Sequence, residues 1–138
     1  MKARIKWVEG MNFVGEAGTG HGVVIDGGKE RGGRDTGFRP MEMLLLGLGG
    51  CTAVDVKMML EKGRQEISDC IVEVDGERAD AVPAVFTKIH VHYIVTGKAL
   101  KEAQVKRAVE LSSTKYCSAS IMLGKSAEVT HSYEIIEG

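Results

Sequence analysis

Aromatic residues are scarce in this sequence: Phe, Trp and Tyr together make up 5% of its 138 residues. So few flat side chains give little purchase for stacking nucleic-acid bases. An excess of one charge is also missing. The formal net charge is -1, which leaves no basic footprint for nucleic acid or an anionic membrane. There are only three cysteines, too few for a disulfide scaffold. In a reducing compartment each is either a small buried hydrophobe or a reactive group. Proline occurs twice, whereas glycine occurs 18 times, mostly before residue 51. That imbalance points to an early region of turns and close backbone approaches. The start, Met1-Lys2-Ala3-Arg4-Ile5-Lys6-Trp7, alternates charged and apolar residues and lacks the apolar core of a signal peptide, so a cytoplasmic location is expected.

What is present fits an ordinary globular chain, with 43% hydrophobic and 27% charged residues. The length predicts one domain over 1–138. Residues 2–9 alternate as a strand, with Ile5 and Trp7 on one face and Arg4 and Lys6 on the other. Residues 12–17 and 21–26 follow as two more strands, separated by turn residues, which predicts an antiparallel meander. The glycine-rich stretch 27–38 contains Gly28-Lys29 but is no phosphate loop. Val23 stands where that pattern needs Gly, and Glu30 where it needs Ser or Thr. A mobile surface loop is expected there.

Pro40 opens a long helix at the position where its missing N–H costs nothing, and Gly63 ends it. The first half of this helix is apolar nearly all round, which predicts burial on every side. The uncharged run between Glu42 and Asp55 has only 12 residues, too short to cross a bilayer. A chain this small has difficulty enclosing such a helix alone, and Gly47, Gly49 and Gly50 would admit another backbone. A second copy of the chain is expected to cover it. Strands follow at 70–77 and 86–95, joined through Ala79–Ala84. Then come an amphipathic helix near 101–114, a short helical segment at 117–124 and a last strand near 127–136. The order is α+β, with the strands in antiparallel runs.

The three cysteines and one histidine pair are the groups to weigh for chemistry. Cys51 lies in the third turn of the apolar helix. Apolar surroundings would leave it inert unless a cation or hydrogen-bond donor is aimed at it. The helix dipole fades within the first turn, so the cation must come from elsewhere; Arg39, Arg34 and His21 are candidates. Cys117 follows the polar junction Ser112-Ser113-Thr114-Lys115-Tyr116, with Lys115 nearby. Its local surroundings alone leave packing and reactivity both open. Cys70 starts a strand and is expected to be structural. His90 and His92 share a strand face, but nothing nearby completes a metal-ligand set, and no Gly-x-Ser-x-Gly elbow marks a serine hydrolase.

The stretch Arg39-Pro40-Met41-Glu42-Met43-Leu44-Leu45-Leu46-Gly47-Leu48-Gly49-Gly50-Cys51 resembles the central helix of the OsmC/Ohr family of osmotically inducible and organic hydroperoxide resistance proteins. Ser112-x-x-Lys115-Tyr116-Cys117-Ser118 resembles that family's second cysteine segment. The element order matches along essentially the whole chain. The resemblance implies antiparallel sheets wrapped around a long buried central helix, in an intertwined homodimer with active sites at the interface. It implies that Cys51 is the peroxidatic and Cys117 the resolving cysteine; Glu42, Arg39 and His21 are taken as further site residues beside them. Two departures mark a less characterised branch. His21 stands in the early turn where the family places an activating Arg, and a neutral imidazole is no permanent cation. Met41 follows Pro40, so Glu42 lies one position later than the family's Glu, about 100° around the helix.

The implied reaction is reduction of an organic hydroperoxide by Cys51, condensation of the sulfenic acid with Cys117, and reduction of the disulfide by an external dithiol. An apolar wall of Met43, Leu44, Leu46, Met58 and Met59 would favour organic peroxides. No metal, haem or flavin is required, and no nucleic acid or membrane partner is expected. The alternatives are a redox-sensitive dimer binding a small hydrophobic ligand without turnover, a thiol acyl transferase or hydrolase with His21 as base, and a structural dimer with inert cysteines.

Overall fold

The computed structural model describes residues 1–138 and resolves into two compact units, Met1–Leu44 and Leu45–Gly138. The first holds the expected meander: β1 (Ala3–Glu9), β2 (Asn12–Ala17) and β3 (Gly22–Ile25). They pair antiparallel in the order β1-β2-β3. Ile5 and Trp7 share a face of β1 as the alternation predicts, yet both are exposed in the single chain.

The loop after β3 is anchored, not merely a free surface excursion. The buried Asp26 carboxylate collects three donors on Oδ2: the Arg34 N–H at 3.1 Å, the Thr36 N–H at 3.2 Å and the Thr36 hydroxyl at 2.7 Å. These bonds, led by that of the Thr36 hydroxyl, hold the Asp26 carboxyl down at about 2 from an ordinary 3.8. Its other oxygen, Oδ1, is buried without a partner. Phe38 closes the loop by donating its N–H to the Val24 carbonyl and accepting from the Asp26 N–H. Gly33 is required here, because a Cβ would collide with the Gly27 carbonyl.

The helix α1 (Pro40–Lys62) starts in the first unit and runs on into the second. Gly63 follows it, as expected, but the left-handed residue is Arg64, with φ 55°. Gly63 serves close packing instead: a Cβ there would lie 2.8 Å from the Gln104 side-chain oxygen. The second unit continues with β4 (Glu66–Arg78), β5 (Phe86–Lys98), α2 (Glu102–Leu111), a π-helical turn (Ser112–Tyr116), α3 (Ser118–Leu123) and β6 (Glu128–Glu137). β5 is the central strand. Its Ile89, Val91, Tyr93 and Val95 alternate inward, and all are buried.

The expectation of antiparallel strands holds for β1–β2–β3 and for β4–β5 but not for β6. That strand pairs with β5 in parallel, from Lys88↔Glu128 to Gly97↔Glu137. The connection explains the difference: α2, the π turn and α3 carry the chain back before β6 begins. A crossover of that length joins parallel strands, as a hairpin cannot.

Burial of α1 on every side is not met by one chain. Leu48, Thr52, Val56 and Leu60 form a buried stripe at four-residue spacing. Leu46, Val54 and Met58 are exposed, at 56%, 59% and 47%. By length and composition alone α1 is long and apolar enough to cross a membrane. Its buried stripe, however, is part of the core, where Gly49 approaches Val74 of β4 and Thr52 bonds Tyr93 of β5.

The depressed Asp26 pKa ties stability to pH. Its contribution is fully present above about pH 4 and is lost as pH falls towards 2, because the unfolded chain then binds the proton more readily. Urea midpoints should fall over that window in the wild type, and Asp26→Asn should flatten this part of the profile.

Candidate active site

The helical repeat sets the first side of the site. Residues four apart lie on one face of a helix, so α1 presents Cys51 and Asp55 together, with Thr52 turned inward. The second side comes from the end of α2. There the helix widens into the π turn, in which the Cys117 N–H donates to the Ser112 carbonyl at 2.9 Å. Such widenings recur at functional sites because they reposition side chains that a regular helix would carry past. Here the widened turn delivers both Ser112 and Cys117 to α1.

The sulfurs of Cys51 and Cys117 and a carboxylate oxygen of Asp55 all lie within 4.8 Å of one another. Both cysteines are free thiols. Beneath them runs a buried chain of hydroxyls. Tyr93 and Thr52 share a hydrogen bond of 2.6 Å, Thr52 and Ser112 share one of 2.7 Å, and Ser112 donates to Asp55 Oδ2 at 3.1 Å. Burial also pushes the Tyr93 phenol up, which keeps it protonated.

The two thiols differ in their surroundings. Cys117 is fully buried, whereas Cys51 is half-buried. Burial, reinforced by a hydrogen bond to Cys51, pushes the Cys117 thiol up to about 11, although the Ser120 N–H donates to its sulfur at 3.4 Å. Cys117 therefore holds its proton, and Cys51 is the more accessible sulfur for a first attack. Cys70 lies on β4, where burial and then Asp69 push its thiol up.

The remaining residues singled out from the sequence have local partners in the first unit. Arg39 pairs with Asp35 at 3.0 Å, which raises the guanidinium's already high pKa. Its N–H donates to Glu42 Oε1 at 2.8 Å. That bond is the returning half of a capping box, in which a third-position Glu satisfies the residue before the helix. His21 shares a 3.1 Å bond with Thr19 in an exposed turn. The structure thus brings together Arg39 with Glu42, and Cys51 with Cys117.

Sequence reasoning missed Asp55, Thr52, Ser112 and Tyr93. A signal existed for Asp55, a carboxylate one turn after a cysteine, and Ser112 stood in the second cysteine segment as a junction residue; none marked Thr52 or Tyr93, which come from two other elements. Asp55 also lines a pocket of about 560 Å³ with Met58, Met59, Leu111 and Tyr116, and with the cations of Lys62 and Arg107. Of the expected apolar wall, Met58 and Met59 are in this lining. His90 and His92 bond to hydroxyls of β6: His90 to Thr130 at 2.7 Å and Ser132 at 2.8 Å, His92 to Ser132 at 2.7 Å.

Comparison with known proteins returns a consistent group. A family model described as OsmC-like protein matches residues 32–132. Protein YhfA of Escherichia coli (strain K12) is 49% identical over 136 residues, spanning 99% of this chain and 98% of its own length. A crystal structure of a hypothetical protein from Aquifex aeolicus VF5 is 27% identical, with a TM-score of 0.87 over 99% of this chain and 96% of that one. The organic hydroperoxide resistance protein OsmC from Legionella pneumophila superposes with a TM-score of 0.74 over 96% and 95% of the two chains. At 16% identity that likeness is one of fold.

Thr52→Val keeps the side-chain shape but removes the central hydroxyl, leaving Tyr93 and Ser112 each short of a buried partner. It should cost about 1–3 kcal/mol of stability, measured by urea unfolding.

Proposed function

Because the chain belongs to the OsmC-like family, we propose that its two facing thiols make it a thiol-dependent peroxidase for organic hydroperoxides. One observation carries this reading. Cys51 and Cys117 are 66 residues apart in sequence, yet their sulfurs come within 4.8 Å as free thiols, one accessible and one buried. That is the arrangement a two-cysteine cycle requires.

In the first step the Cys51 thiolate attacks the terminal peroxide oxygen. The O–O bond breaks, the alkoxide leaves and takes up a proton as an alcohol, and Cys51 becomes a sulfenic acid. Cys117 then displaces the sulfenic hydroxyl as water and closes a disulfide. An external dithiol reduces it by exchange, which suits a cytoplasmic protein. The cycle draws on no metal or organic cofactor. Arg39, Glu42 and His21 stay in the proposal as further site residues, with Arg39, Arg34 and His21 the candidate groups for favouring the thiolate.

The active form we propose is a homodimer. Leu46, Val54 and Met58 on α1 and Ile5 and Trp7 on β1 leave apolar surface uncovered in one chain, and a second copy would remove it from water. The pocket lined by Met58, Met59, Lys62 and Arg107 supports a second reading, a dimer that binds a small amphipathic ligand and senses oxidation without turnover.

Stoichiometric cumene hydroperoxide separates these readings. The peroxidase should lose two thiols and form the Cys51–Cys117 disulfide, followed by thiol titration and mass spectrometry. Cys51→Ser should abolish the reaction, and Cys117→Ser should stop it at the sulfenic acid. Thiols that stay reduced in large peroxide excess would sink the proposal. For assembly, Val54→Glu should convert the dimer to monomer in analytical ultracentrifugation, since a dimer would otherwise bury the new charge.

A further inference from the structure

We infer that Asp55 is the proton acceptor for Cys117 when the disulfide closes. This inference rests on the peroxidase reading and extends it to a residue outside the cysteine pair. In the closing step a sulfur–sulfur bond forms between Cys117 and Cys51, and the sulfur–oxygen bond of the Cys51 sulfenic acid breaks. The Cys117 sulfur is oxidised and the Cys51 sulfur reduced, so no second oxidant enters. A proton must leave Cys117, and the departing hydroxide must gain one.

The surroundings of Cys117 make that transfer the difficult part. A neutral thiol is a poor nucleophile, and attack proceeds through the thiolate. Burial and the neighbouring Cys51 keep this thiol protonated. The closing step therefore needs a base beside it. Asp55 supplies a carboxylate oxygen within 4.8 Å of both sulfurs, so one group can take the proton from Cys117 and hand it to the hydroxide leaving Cys51. The carboxylate ends the step as it began, and water is the only product released.

The hydroxyl chain gives Asp55 its position. Ser112 donates to Oδ2, and Ser112 is fixed in turn by Thr52 and Tyr93. The same Ser112 accepts the Cys117 N–H through its carbonyl. Proton donor and acceptor are therefore tied through one residue. The hydroxyls themselves are no substitute as bases, since none retains a proton taken from a thiol.

Asp55→Asn separates this role from a purely structural one, because an amide oxygen still accepts from Ser112 but takes no proton. Reduced wild type and variant are mixed with cumene hydroperoxide. Sulfenic acid on Cys51 is trapped with dimedone, and disulfide is followed by mass spectrometry. In D55N the disulfide should close about a hundredfold more slowly than in wild type, by far more than any change in Cys51 oxidation, so the dimedone adduct accumulates. Asp55→Glu should restore much of the closing rate. If D55N does not fold, Asp55→Ala with added formate takes its place, and closure should rise with formate concentration. Closure in D55N at the wild-type rate overturns the inference alone. So does equal slowing of both steps with no rescue by Glu or formate. A wild type whose Cys51 never oxidises overturns the peroxidase reading and this inference together.

Discussion

A buried row of hydroxyls holds the second unit in register. Tyr93 on β5, Thr52 on α1 and Ser112 in the π turn bond in sequence and end on the Asp55 carboxylate. An unpaired polar group in such an interior costs about 1–3 kcal/mol. Helix, strand and turn therefore settle where every hydroxyl finds its neighbour. A slide of α1 by one residue would replace Thr52 with Cys51 or Ala53 and break the row. The placement of the two thiols follows from this constraint, because Cys51 precedes Thr52 and the Cys117 N–H is bonded to the Ser112 carbonyl. Chemistry and packing share a polar framework, and an apolar core of the same shape would fix the sulfurs less narrowly.

The central helix divides its surface between two tasks. Its four-residue stripe, from Leu48 to Leu60, builds the core of one chain. The opposite side stays apolar but uncovered, with Leu46, Val54 and Met58 facing outward. A helix apolar all round is normally enclosed, and a chain of 138 residues has too little material to do so while also building two sheets. The proposed dimer would resolve that conflict. It would also place α1, and with it the proposed site, beside an interface.

Residues singled out from the sequence for chemistry carry structural duties as well. Glu42 caps the backbone of Arg39 at the entry to α1, and Arg39 leans on Asp35. Neither duty conflicts with a role in activating a thiolate, since exposed pairs of this kind are weak and exchangeable. Asp55 has the opposite character. Its bond to Ser112 is part of the buried row, so its position near the sulfurs is held before any substrate arrives. Preorganised groups of that sort contribute most to a chemical step.

Local signals in the sequence were enough for most elements. Alternation marked β1 and the long pairing strands, turn residues marked β2 and β3, Pro40 and Gly63 bracketed α1, and the cysteine segments marked the two thiols. The parallel entry of β6 was not legible, because strand direction depends on where a crossover returns the chain, not on the strand's own residues. Nor were the widening of α2 into a π turn, the anchoring of the 27–38 loop by Asp26, or the hydroxyl row. Asp55 was visible as a carboxylate four residues after Cys51, but its significance depended on Cys117 arriving from 66 residues away. By itself, then, the sequence determined which residues could form helix and strand, and which side chains could react. Only the tertiary structure decided which of them meet, because hydrogen-bond satisfaction and burial act between segments that no local pattern connects.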